Sequence, residues 1–162
     1  MSATPIALPT IYVPVSIRHI CWYPAVANIS AVTRAEINAG TDLTGAIPSD
    51  GVKGFTVAAD FADVATFTGG LTAKVSKNTL AAATSSLDFL MSLTSSDVRT
   101  LLTRGLSGFV GMQWEGDVPG RKQTVFSTTV ASQSPAPDGG NPARITIEFA
   151  LLAFSEMQTI PA

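Results

Sequence analysis

His19 and Cys21 stand two residues apart in a strand-like run, so their side chains share one face. A thiol beside an imidazole is the start of a nucleophile pair or of a metal-ligand set. The chain has one histidine and one cysteine. No usual zinc set can be completed from them, and their apolar neighbours favour packing in a core or an interface. Glu115 and Asp117 flank Gly116. Two carboxylates so placed could serve as acid and base, or hold calcium. Calcium takes roughly six to eight oxygens, however, and no dense Asp/Asn loop surrounds this pair, so a solvated turn is the expectation. Gly105, Gly108 and Gly111 recur every third residue, which is neither a P-loop nor a dinucleotide fingerprint. Trp22 and Trp114 are aromatic anchors for a core or for a subunit contact. No nucleophile, base and orienting acid come together. The expectation is a protein without catalytic residues, metal or cofactor, and not an enzyme.

The elements that must position these residues are mostly strands. In 123–132, Thr124, Phe126, Thr128 and Val130 fall on one face, with Val125, Ser127, Thr129 and Ala131 on the other. In 143–154, Ile145, Ile147, Phe149 and Leu151 oppose Arg144, Thr146 and Glu148. A period of two marks strands with a buried face. The Pro/Gly/Asn-rich segment 133–142 lets the chain turn back between them. Residues 11–23, 52–58, 86–93 and 108–114 also read as strands, with 115–120 as the turn into the C-terminal pair.

Two helices are expected. Thr33-Arg34-Ala35-Glu36 is a capping box that starts a short one, stopped at Gly40. Thr94 or Ser95 caps the other, with Asp97 in its first turn. Val98, Leu101 and Leu102 form its apolar stripe, so it should lie on a sheet. Residues 1–10 read as an extended arm before a single domain, 11–162. The segment 59–83 has little pattern and reads as a functional loop or an extended hairpin.

The composition narrows the function. Hydrophobic residues make up 46% and charged ones only 14%, too few charges to cover a free surface generously, so burial by other copies is expected. The net charge of −2 and the lack of any Lys/Arg run argue against tight nucleic-acid binding. No signal peptide is expected at the start, and no apolar run is long enough to span a membrane.

Three stretches, taken in order, carry a resemblance. Residues 32–44, with Ala35-Glu36, Ala39-Gly40 and Asp42-Leu43, are similar to the Ala-Glu-x-x-Ala-Gly-x-Asp-Leu segment of actinobacteriophage tail tubes. Residues 97–105 follow, with an apolar strand and the turn Gly116-Asp117-Val118-Pro119-Gly120. The third is a Val/Thr-rich strand ending in Ser132-Gln133-Ser134-Pro135, then 143–150. Together they resemble the tail tube (major tail) proteins of long-tailed, non-contractile bacteriophages.

The resemblance implies a mainly β fold of two packed antiparallel sheets, barrel-like, with a flanking helix and a long loop. It also implies hexameric rings stacked into a hollow virion tail that is assembled in the host cytoplasm. DNA and the tape measure protein would pass through, and initiator and terminator proteins would bound the tube. On this view Phe61 and Phe67, with Asp60 and Asp63, reach the neighbouring ring. Arg144, Thr146 and Glu148 face the lumen, which should be neutral or acidic on balance so that phosphate is not gripped. A head–tail connector or tail terminator ring is the nearest alternative. A β-barrel holding a small apolar ligand is the alternative from another class. Long tubes, single rings and a monomer with a filled pocket would tell the three apart.

Overall fold

The computed structural model describes residues 19–56, 60–65, 72–77, 85–91, 98–136 and 143–162. The expected arm 1–10 and the helix-capping residues Thr94, Ser95 and Asp97 lie outside them.

Among the described residues, nine strands run in chain order: β1 (His19–Tyr23), β2 (Thr41–Asp42), β3 (Val52–Lys53), β4 (Asp60–Ala65), β5 (Thr72–Lys77), β6 (Ser85–Leu90), β7 (Ser107–Gln113), β8 (Lys122–Ala136) and β9 (Arg144–Thr159). Two short helices, α1 (Arg34–Asn38) and α2 (Val98–Leu101), and a 3-10 turn, Thr44–Ala46, complete the set. The mainly β expectation is met. The described strands do not divide into two comparable sheets, however. They form one antiparallel seven-stranded sheet, ordered β2-β1-β7-β8-β9-β6-β3, and a separate β4-β5 ribbon.

The large sheet closes its core by curling. β1 and β9 are third neighbours, so a flat sheet would hold them about 14 Å apart. Yet the rings of Trp22 on β1 and Phe149 on β9 have centroids 6.3 Å apart. Phe55, just past the opposite edge strand, meets Phe126 at 5.4 Å and Phe149 at 5.7 Å. The concave face is therefore filled by Ile20, Trp22, Leu87, Phe89, Val110, Met112, Phe126, Val130, Ile145, Ile147 and Phe149. A second cluster, Cys21, Tyr23, Val32, Ile37, Val125 and Ile160, covers the reverse of β1 and β8 beneath α1. These strands are buried on both sides, not on one as simple alternation suggests.

Two glycines let that packing happen. A Cβ at Gly108 would lie 2.3 Å from the Trp22 ring, and one at Gly111 would lie 2.4 Å from the Tyr23 ring. The rings of β1 thus lie flat over bare backbone on opposite faces of β7.

Three register shifts break the β8–β9 ladder. Thr128 pairs with Leu151 and Ser127 with Ala153, which leaves Leu152 as an extra residue. The bulge resets the parity of the strand. Leu151 and Phe154, three apart in sequence, both pack on the concave core, and Leu152 is left 62% exposed. A second shift lies between Ser155 and Gln158, where Met157 takes a left-handed φ of 52°. The third makes Ala131 the extra residue of β8. It turns Gln133 onto the α2 side, where its amide donates to the carbonyls of Arg99 and Leu102.

The expected strand over 52–58 stops at Lys53, because Gly54 and Phe55 adopt positive φ of 74° and 51°. That turn sends the Phe55 ring inward. Within 59–83, the described strands β4 and β5 pair antiparallel, with Asp60 opposite Lys77 and Asp63 opposite Lys74 in the register. The described part of α2 is one turn long. Val98 and Leu102 are buried, and Leu101 is half-buried against the same core.

Candidate functional site

The pair singled out first gains partners from two other strands. Asp42 lies opposite Cys21 in the β1–β2 register, and Gln113 lies opposite His19 in the β1–β7 register. All four side chains converge. His19 Nδ1 is 3.1 Å from Cys21 Sγ and 2.9 Å from Gln113 Oε1, and His19 Nε2 is 3.0 Å from Asp42 Oδ2. The Asp42 carboxylate also accepts from the Thr44 N–H and hydroxyl. Burial would raise its pKa, but those bonds and His19 outweigh it and hold Asp42 below the usual carboxylate value.

Burial pushes the Cys21 thiol up to about 12, and the charges of Asp42 and Asp117 push the same way. Burial likewise raises Tyr23 beside it. A thiol so held is protonated at neutral pH and screened from solvent. Despite its outline of cysteine, histidine and acid, the group lacks the exposed thiolate that a nucleophile needs in the metal-free protein. The other carboxylate pair is separated by its partners. Asp117 takes a two-pronged bond from Arg34 at 2.7 and 2.8 Å, and Arg34 also donates to the Pro161 carbonyl. Glu115 sits 3.6 Å from Arg121. Both carboxylates are structural.

The polar face of β9 is also internally paired. Arg144 binds Asp50, with contacts of 3.1 and 3.0 Å, the Thr146 hydroxyl donates to Asp88, and Glu148 accepts from Ser132. Lys53 completes the row with a 2.7 Å bond to Asp88. Burial by itself raises the pKa of Asp88, but Lys53, Thr146 and then Arg144 bring it below its ordinary value of 3.8. Asp50 is held low chiefly by its bond from Arg144.

This fixes the sign of the acid response. A carboxyl whose folded pKa lies below the unfolded one contributes in full above the unfolded value. The contribution is lost as pH falls through the folded one. The urea midpoint is therefore expected to hold from about pH 7 to 5 and to drop below about pH 4. Asp88→Asn should start lower and fall less steeply. An unchanged slope in that variant would show that Asp88 carries none of the response.

Among the described residues, the two longest strands each have a flank without a ladder partner. β6 pairs with β9 only over 144–149. From Ala150 to Thr159, β9 has β8 as its one ladder partner among the described residues. β7 covers β8 only over 124–129, so among the described residues 131–136 has no ladder partner on that side. The two most exposed large apolar side chains among the described residues, Leu152 and Met157, stand on the open half of β9.

A model of the family described as "Phage tail tube protein" matches residues 16–162. The chain belongs to the phage tail tube protein family. No curated protein matches it. Among solved structures it is similar to a chain of the anti-feeding prophage (AFP) baseplate, solved by electron cryo-microscopy with six-fold symmetrisation. That likeness has a TM-score of 0.53 at 9% identity and covers 92% of this chain and 95% of the other. It establishes a shared fold. The SPP1 Dit (gp 19.1) protein is a looser match, with a TM-score of 0.41 at 14% identity over 83% of this chain and 49% of that one.

Family membership makes the protein a structural component of a phage tail. Residues 32–44 are held by a set of local ties. Thr33 and Glu36 close the capping box, and Glu36 also accepts from the Ala27 N–H at 2.7 Å. Asp42 joins the His19 group and Leu43 is buried in the core. Trp22 is core and Trp114 is 38% exposed. Phe67 lies outside the described residues. Asp60, Phe61 and Asp63 stand on β4 of the hairpin. Sequence reasoning missed Asp42 and Gln113 as companions of His19, because only the register brings them together. It missed the open flanks for the same reason.

Proposed function

We propose that this tail tube protein is the repeating subunit of a hollow tail, arranged as hexameric rings stacked into a tube through which phage DNA is delivered. One observation supports the ring: among the described residues, the flanks of β8 and β9 without ladder partners lie on opposite sides of the sheet, at staggered heights. A subunit with two unlike open edges can pair head to tail, and a head-to-tail contact closes into a ring when the rotation fits. Six copies are proposed because the similar AFP baseplate chain was solved in a six-fold symmetrised assembly.

In this arrangement Arg144, Thr146 and Glu148 line the channel. Arg144 and Lys53 are already matched by Asp50 and Asp88, which leaves little positive charge to hold sliding phosphates. The β4–β5 hairpin, with Asp60, Phe61, Asp63 and the following Phe67, reaches the next ring. The tape measure, initiator and terminator proteins are the further partners, and the assembled location is the virion tail.

Electron microscopy of the concentrated protein, with and without a tail initiator, is the test. Tubes with a central channel are expected. Single rings would favour a connector or terminator role, and monomers with a filled pocket a ligand-binding barrel. Leu152→Lys with Met157→Lys should abolish tubes and leave the thermal midpoint of the free subunit unchanged, since both side chains are exposed. Tubes that survive this pair would remove the β9 flank from the interface.

A further inference from the structure

The polar group at the end of β1 has the composition of a metal site. His19, Cys21 and Asp42 offer a nitrogen, a sulfur and a carboxylate oxygen, one from each, that all lie within 4.8 Å of one another. Ligands about 2.0–2.3 Å from a shared tetrahedral ion stand roughly 3.3–3.8 Å apart, so the side chains need to close by only about 1 Å to take one up. A fourth donor is at hand, because Gln113 Oε1 is 2.9 Å from the His19 ring.

The ligands differ in freedom. Cys21 is buried and fixed in the strand. His19 and Asp42 are 28% and 53% exposed, so they can shift onto an ion and admit it from solvent. A chain with one histidine and one cysteine lacks the usual Cys/His set. Here the third ligand comes instead from a neighbouring strand, twenty-one residues beyond Cys21.

We propose that His19, Cys21 and Asp42, aided by Gln113, bind a borderline-soft divalent cation of the Zn²⁺ class. A thiolate and an imidazole select such an ion over Ca²⁺ or Mg²⁺, and one carboxylate among them is compatible with it. On binding, the Cys21 thiol gives its proton to the buffer and a sulfur–metal bond forms, with no change of oxidation state. Two of the ligands sit on β1 and one on β2. The ion would clip the edge strand β2 to the sheet and, because the site needs the folded register, would favour the folded state.

The single cysteine makes the test specific. Co²⁺ added to the full-length protein should give one equivalent of saturable binding with a near-ultraviolet thiolate-to-cobalt band, and only Cys21 can supply that band. Zn²⁺ should displace the cobalt spectrum and, added to the metal-free protein, should raise the thermal midpoint and release a proton. Cys21→Ser should remove the band. Asp42→Asn, at an exposed position, should weaken binding about ten-fold or more, in line with the loss of one ligand, while the fold is kept.

No thiolate band at millimolar Co²⁺ would overturn the proposal. So would Zn²⁺ binding that persists unchanged in both Cys21→Ser and Asp42→Asn. If Cys21→Ser fails to fold, the wild-type cobalt spectrum and the Asp42→Asn titration decide between the same two outcomes.

Discussion

Trp22→Ala is expected to lower the unfolding free energy by about 3–5 kcal/mol, the range for emptying a large aromatic site in a packed core. Trp22 is 2% exposed, and its ring bridges the curl of the sheet from β1 to Phe149. Beneath it lies Gly108, whose hypothetical Cβ would be 2.3 Å from the ring. With no side chain there to move into the space, the cavity cannot collapse, and the loss should sit at the upper end of the range. Urea unfolding would measure it, with Trp114 left as the fluorescent reporter. Trp114→Ala, at a 38% exposed position, should cost less than Trp22→Ala. A loss below about 1 kcal/mol for Trp22→Ala would mean that the two ends of the sheet do not depend on this contact.

The second large effect is expected at α2, and it is unequal. Leu102→Ala should cost roughly 2–5 kcal/mol, since Leu102 is fully buried. Its backbone is fixed as well: its N–H donates to the Val98 carbonyl at 2.8 Å and its own carbonyl accepts from Gln133. Leu101 is only half-buried on the same core, so Leu101→Ala should cost clearly less, about 1 kcal/mol. Equal losses at the two positions would return the helix to a symmetrical stripe with both leucines in the core. Chemical denaturation of the two variants side by side separates these results.

The sequence made the helix stripe legible because Val98, Leu101 and Leu102 repeat at i, i+3 and i+4. It made the strands legible wherever the period of two survives, as at Ile145, Ile147 and Phe149. What it hid was produced by one-residue irregularities. Gln133 reads as the start of the turn segment 133–142, yet β8 runs on to Ala136, and the extra residue Ala131 turns Gln133 under α2. Phe154 falls on the wrong face until Leu152 is taken out of the count. Phe55 reads as part of a strand until Gly54 and Phe55 itself turn to positive φ. The His19 group was half legible. His19 and Cys21 share a face by simple alternation, but Asp42 and Gln113 join them through pairings that no local pattern records.

If subunits join along these flanks as proposed, the bulges of β9 also bear on when they do. A straight, open strand flank is a template for any passing segment and invites indiscriminate aggregation. The open half of β9 is not straight. Leu152 interrupts its spacing and Met157 bends it with a left-handed backbone. A partner must carry the complementary irregularity, so a chance encounter finds few hydrogen bonds in register. Subunits with such flanks would gather slowly when free and quickly onto an end that already has the matching contour. Growth would then show a lag that preformed seeds abolish, and the tube would take its start from a template rather than from concentration alone.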